Sequence, residues 1–177
     1  MPRVSPASPM PDPVTISIRR LTDGGEAAWD AFVDSREEAS LYHRARWRTL
    51  IQTLFGHEGW YFYAAGASGE VLGILPLIRL RSRLFGDYLV SMPYVNYGGA
   101  IGVSPEIEHA LMRSACAQAQ QAGVGHIEFR DTQPRPAEWS VRTDKLVMEL
   151  TLPASTEALW NGFSPKLRAQ IRRPQRE

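Results

Sequence analysis

The stretch SMPYVNYGGAIGVSPEIEHAL, residues 91–111, holds the densest set of side chains able to bind something. Tyr94, Asn96 and Tyr97 precede Gly98 and Gly99 and run on into what reads as a helix. Three readings compete. Glycines ahead of a helix N-terminus let backbone N–H groups converge on a phosphate, where the positive end of the helix dipole favours an anion. Here Glu106 and Glu108 would compete for that end, the stretch has no lysine or arginine, and it matches neither G-x-G-x-x-G nor the Walker pattern. Phenol rings and a carboxamide beside glycines instead make an amphipathic floor on which a ligand approaches the backbone closely. The plain alternative is a strand end whose tyrosines cover a core edge.

Other candidates are scattered. In SLYHRARW, residues 40–47, His43 stands just before a helical pattern, as an acid, a base or a substrate contact on one reading and as a cap or packed side chain on the other. His57, His109 and His126 occur singly, and GHEG lacks the second histidine that a zinc site requires. There is no G-x-S-x-G elbow, and Cys116 sits among alanines in a helical stretch, so nucleophile schemes through serine or cysteine have no support. IEFRD places Glu128 and Arg130 on one face of a strand with Asp131 at its end, as a substrate-facing ion pair or as an ordinary surface pair. SPKLRAQIRRPQR is the basic cluster, with Lys166 and Arg173 on one helical line and Arg168 and Arg172 on another. It reads as a solvated face or as a grip on phosphates.

The elements that would position these groups follow from periodicity. At 177 residues and a net charge of +1 the chain suits one domain with a real core and has no general attraction for polyanions. A single cysteine excludes a disulfide framework, and a reducing, cytoplasmic setting fits. Residues 1–13 hold five prolines and no apolar signal core, so a disordered leader is expected there. VLGILPLI is too short to span a bilayer. Strands are expected in VTISIRRL, WYFYAAG, VLGILPLIRLR, DYLVSMP, HIEFR and KLVMELTL. Helices are expected in GGEAAWDAFVDSR with Ala28, Phe32 and, less regularly, Trp29 and Val33 on one face, in RARWRTLIQTLFG with Trp47, Leu50, Ile51 and Leu54 on one line, and in SPEIEHALMRSACAQAQQAG with Ile107, Leu111, Ala115 and Ala122 facing a sheet. Two short helices close the chain. An antiparallel meander followed by a helix crossover to another strand indicates an α/β or α+β fold with a central, mostly antiparallel mixed sheet flanked by helices.

Together LYHRARW, FGH, LGILPLIRLRSRLFG, LVSMPYVNYGGAIG, HIEFRD and SPKLRAQIRRPQR resemble the first half of a FemAB family protein, in particular those associated with exosortase (PEP-CTERM) systems. The resemblance implies the GNAT-like acyl-coenzyme A N-acyltransferase fold, with residues 14–163 as one such domain and 164–177 as a basic segment leading toward a second. It implies transfer of an aminoacyl or acyl group to an amine of a cell-envelope or exopolysaccharide precursor, from aminoacyl-tRNA or acyl-CoA as co-substrate, with no bound cofactor and no metal. It places Tyr94, Asn96, Tyr97, Gly98 and Gly99 on an acceptor cleft and makes His43, Glu128 and Arg130 motif positions without a set role. It offers Lys166, Arg168 and Arg172 to tRNA or substrate phosphates, and names no catalytic base. Expected partners are the precursor, tRNA, and a second GNAT-like domain or a second copy of the chain. The alternative is a non-catalytic GNAT-like module that binds a saccharide, precursor or protein.

Overall fold

The structure is a computed structural model and describes residues 16–135, 138–142, 148 and 150–174. The chain forms two compact units, one ending at Pro134 and one beginning at Arg135. The expected leader, 1–13, lies outside the described residues.

The first unit is a mixed α/β fold with an open sheet flanked by helices, the class read from the sequence. Its elements are β1 (Ser17–Arg20), α1 (Glu26–Asp34), a 3-10 turn (Leu41–His43), α2 (Arg46–Phe55), β2 (Glu58–Ala65), β3 (Val71–Ser82), β4 (Gly86–Val90), β5 (Ile101–Gly102), α3 (Pro105–Gln121) and β6 (His126–Glu128). The sheet order is β1-β2-β3-β4-β6, with β5 also paired to β3. All pairs are antiparallel except β4 with β6, whose parallel register sets Tyr88, Leu89 and Val90 against His126, Ile127 and Glu128. Helix α3 makes that crossover.

β3 is buried from Gly73 to Arg79 because both of its faces are covered, which is why its sequence is a continuous apolar run without alternation. Ile74 and Ile78 belong to a cluster with Trp29, Phe32, Val33, Ile51 and Tyr61. On the other face, α3 approaches so closely that a Cβ on Gly73 would stand 2.6 Å from Ile107 Cγ2. Pro76 lies in the middle of β3, between Ile74, which pairs with β5, and Ile78, which pairs with β4. Proline has no amide hydrogen for a ladder. At Pro76 the β3 ladder is with β2 alone, and there residues 91–100 leave the sheet as a loop.

Two helical faces differ from expectation. In α1 Phe32, Trp29 and Val33 are buried as expected, and only Ala28 departs, lying exposed because the large indole takes the inward position. In α2 Ile51 alone is buried; Leu50 and Leu54 point outward, and Gly56 ends the helix at φ 69° as its composition suggested. α3 buries Ile107, Leu111, Met112, Ala115 and Ala119; Ala122 is its exposed C-cap. β5 is a two-residue strand that no sequence pattern announced.

The second unit contains α4 (Thr156–Gly162) and α5 (Pro165–Arg172), each started by a serine whose Oγ accepts an N–H in the first turn, Ser155 from Ala158 and Ser164 from Leu167. Half of the expected strand in KLVMELTL falls outside the described residues, and 148 and 150–152, which are described, are not strand. No helix among the described residues is long and apolar enough to cross a membrane.

Candidate functional site

The loop after β4 is held by groups from three directions. Met92 and Tyr94 both have positive φ, 53° and 73°. For residues with a Cβ this conformation costs roughly 1–2 kcal/mol each, so the surroundings must impose it. Below the loop, the Met92 side chain is fully buried and its Sδ accepts the Tyr61 hydroxyl at 3.3 Å. Burial pushes the Tyr61 phenol well above its ordinary range. Tyr61 in turn packs on Trp29, ring centroids 5.1 Å apart, and the Trp29 indole donates to the His43 carbonyl at 2.6 Å.

From the side, the continuation of β6 acts as a clamp. Arg130 N–H donates to Ser91 Oγ at 2.6 Å, and its guanidinium donates to the Val95 carbonyl at 2.7 Å and the Met92 carbonyl at 3.4 Å. Its Nε donates to Glu128 at 2.7 Å, so the Glu128–Arg130 pair expected on one strand face exists and orients the guanidinium toward the loop. Gly98 N–H reaches the Arg130 carbonyl at 3.2 Å. The two glycines serve close approach: a Cβ on Gly98 would stand 2.5 Å from Met92 Cβ, and one on Gly99 would collide with the Asp131 carboxylate and lie 3.0 Å from Asp131 Cα.

His43 is buried at 4 % exposure beneath the same loop. Its Nδ1 accepts the Ser40 N–H at 3.1 Å and its Nε2 lies 3.2 Å from the Gly99 carbonyl, so the proton sits on Nε2 and donates there. Desolvation, the largest influence, lowers the pKa of the imidazole, opposed by the Gly99 carbonyl and by the charge of Asp131. Protonation would also turn Nδ1 from acceptor to donor against the Ser40 N–H. The fold therefore favours neutral His43: its contribution is fully present above the ordinary histidine value of 6.5 and is lost as pH falls through the lower folded value. Wild-type protein is expected to melt at a lower temperature as pH drops from about 7.5 to about 5, with a flatter profile for His43→Gln. Equal slopes for the two proteins in a thermal melt series would remove His43 from that role.

On its outer surface the loop presents Asn96, exposed, Tyr97, half-buried, and Tyr94, 59 % exposed. Tyr94 Oη is 2.9 Å from His57 Nε2. The two rings are inclined by only 10° with centroids 6.3 Å apart, so they lie edge to edge, and Phe55 stacks on Tyr94 at 4.6 Å. The structure thus brings His43, Glu128 and Arg130 to the underside and flank of the loop that carries Tyr94, Asn96, Tyr97, Gly98 and Gly99. Sequence reading passed over His57; its place in FGH was visible, whereas its pairing with a tyrosine 37 residues away was not.

The phosphate-cradle reading loses its vacancy. Glu108 Oε1 accepts the Gly102 N–H at 3.1 Å, so a carboxylate already occupies the approach to the α3 N-terminus. Glu106, held low chiefly by the Ser104 side chain, adds a second negative charge in the first turn. A separate cleft of about 440 Å³ lies beside the start of β4, between the end of α3 and β6, with Cys116 and His126 in its wall. Burial pushes the Cys116 thiol up, away from the thiolate a nucleophile needs. Among the described residues, no group of three or more His, Cys, Asp or Glu side chains is placed to hold a metal. In the second unit Lys166 and Arg172 are exposed and Arg168 is half-buried, with the Arg172 guanidinium 5.1 Å over the Trp160 ring.

No family model matches the sequence, and no curated protein matches it. Among solved structures the chain is similar to a putative acetyl transferase from Pyrococcus furiosus, with 19% identity over 78% of this chain and 100% of that one, at a TM-score of 0.49. It is similar to an acetyltransferase of Trypanosoma brucei, with 13% identity over 78% of this chain and 100% of that one, at a TM-score of 0.49. It is also similar to a GNAT family acetyltransferase of Staphylococcus aureus, with 7% identity over 76% of this chain and 98% of that one, at a TM-score of 0.48. At these identities the likeness is one of fold alone.

Proposed function

We propose that the chain is a FemAB-type N-acyltransferase module with a GNAT-like fold, and that the outer surface of loop 91–99 receives the amine-bearing acceptor, a cell-envelope or exopolysaccharide precursor. The observation that carries this reading is the loop itself, two left-handed non-glycine residues locked from below and from the flank while Tyr94, Asn96 and Tyr97 face outward. Strain of that kind persists where the surroundings over-determine it, and it concentrates at ligand clamps.

In the reaction an amine nitrogen attacks an activated acyl carbonyl, the bond to the donor's leaving group breaks, and the nitrogen loses a proton. His57, linked to the Tyr94 hydroxyl, is the proton acceptor in this proposal, and Asn96 and Tyr97 orient the acceptor. The donor, aminoacyl-tRNA or acyl-CoA, is a co-substrate; Lys166, Arg168 and Arg172 are proposed to meet its phosphates. Incubating the protein with each donor and an amine-bearing envelope precursor is expected to yield an N-acylated product by mass spectrometry. His57→Gln is expected to lower kcat by at least about a hundredfold with little change in KM, the usual scale of a lost general base. An unchanged kcat would withdraw the base assignment.

A second reading, a non-catalytic module that binds a saccharide, precursor or partner protein, is favoured by one observation: Glu108 accepts the Gly102 N–H just ahead of α3 and Glu106 adds a second carboxylate in its first turn, an approach that disfavours a donor's phosphates. Calorimetric binding of the precursor without any acylated product would select it.

A further inference from the structure

The hairpin joining β3 and β4 lies at the far end of β4 from the loop and ends in Arg83, Leu84 and Phe85. Leu84 is 87 % exposed and Phe85 75 %. The turn holds them there by construction: Ser82 Oγ accepts the N–H groups of both Leu84 and Phe85 at 3.2 Å, and Gly86 closes the turn at φ 97°. Arg81 and Arg83 flank the tip and are exposed. The carboxylate at its base, Asp87, is already gripped through both oxygens by Arg79 at 2.8 and 2.6 Å, with Arg81 Nε at 3.5 Å. Two arginines therefore share that one acid, and with Arg83 beside them the tip keeps an excess of positive charge.

The shape of this feature selects its partner. A convex knob of two side chains offers only a few hundred Å², an aromatic side chain contributing about 150–250 Å², whereas a stable protein interface takes about 800 Å² from each side. A bilayer interface needs no matching pocket. It accepts apolar side chains at the acyl boundary and binds cationic side chains through anionic headgroups.

We propose that the β3–β4 hairpin tip is a peripheral membrane-docking site, with Leu84 and Phe85 entering the interface of an anionic lipid surface and Arg81 and Arg83 against its phosphates. The inference rests on this hairpin alone and stands apart from the acyl-transfer reading. The test is sedimentation of the full chain with phosphatidylcholine vesicles, with and without phosphatidylglycerol. Wild-type protein is expected to sediment with the anionic vesicles. The double variant L84S/F85S is expected to bind at least about tenfold less, the scale set by losing two buried apolar side chains. Arg83→Glu is expected to remove the preference for anionic vesicles, and Phe85→Trp to show a blue-shifted emission on vesicle addition. Because these side chains are exposed, the variants should keep the wild-type circular dichroism and melting temperature. Failure of wild-type protein to bind either vesicle, or equal binding by L84S/F85S, would overturn the proposal. So would a concentration-dependent dimer in solution that L84S/F85S dissolves without any vesicle binding, since the tip would then serve a second copy.

Discussion

Asp87→Ala is expected to destabilise the first unit by about 3 kcal/mol, the usual cost of stripping one partner from a buried pair. The reason lies in Arg79, whose side chain is 7 % exposed. Its guanidinium is satisfied by both Asp87 oxygens and by the Ala122 carbonyl at 3.1 Å, with its Cζ 5.2 Å from the centre of the Trp60 ring. Without Asp87 a buried cation keeps one carbonyl, an aromatic face and the charge of its cross-strand neighbour Glu58. In a protein of this size such a loss corresponds to roughly 6–12 °C in melting temperature. The pH dependence has a defined sign. Hydrogen bonding to Arg79, first, and the charges of Arg79 and Arg81 hold the Asp87 carboxyl below the ordinary aspartate value of 3.8. The pair's contribution is then fully present above that value and is lost as pH falls through the lower folded one. The stability difference between wild type and Asp87→Ala should be constant at neutral pH and shrink in acid. A variant that melts within a degree or so of wild type at neutral pH would show that the pair merely balances its own desolvation.

Arg130→Ala is expected to cost about 2 kcal/mol of stability, with the larger effect on the loop, because hydrogen bonds to a charged group are worth about 1.5–3 kcal/mol. The guanidinium holds the carbonyls of Met92 and Val95, which bracket the left-handed Tyr94. Once those carbonyls are released, residues 92–95 are freer to relax toward ordinary backbone angles, while the bonds from the residue 130 backbone to Ser91 and Gly98 remain. Amide hydrogen exchange should accelerate across 92–97 while β2 and β3 remain protected. Acceptor binding, measured by calorimetry, should weaken by about tenfold or more, the factor that a little over 1.4 kcal/mol implies. Arg130→Lys should not rescue it, since an ammonium cannot reach two carbonyls and Glu128 in one plane. Loop protection equal to wild type in Arg130→Ala would mean that burial of Met92 and the His43–Gly99 bond suffice.

The contrast between these two sites indicates what kind of information each residue carries. Pro76 can be read in the chain as an oddity within an apolar strand, and the structure gives it a place where the β3 ladder is with β2 alone. His43 is legible as a residue of interest, yet its choice between substrate contact and packed side chain depends on the Gly99 carbonyl, 56 residues away. Glu128 and Arg130 are neighbours in strand period, so their pairing is legible in the sequence; that Arg130 also grips the loop depends on the parallel β4–β6 register. His57 and Tyr94 had no signal linking them. α2 misled through its own regularity, because an apolar line at helical spacing does not say which side meets the sheet.

From the chain by itself came the α/β class, the order of the long elements, the helix caps and stops, and the loop that carries Tyr94, Asn96 and Tyr97. Each depends on periodicity, or on turn and cap residues acting over a few positions, so neighbouring residues suffice to determine it. The tertiary structure decided which partner each polar group takes: His43 beneath Gly99, Arg130 across the loop, His57 beside Tyr94, Glu108 over the α3 N-terminus, and Leu84 and Phe85 left in the open. These depend on strand register and helix placement. They bring together groups tens of residues apart, a distance over which local pattern carries no memory.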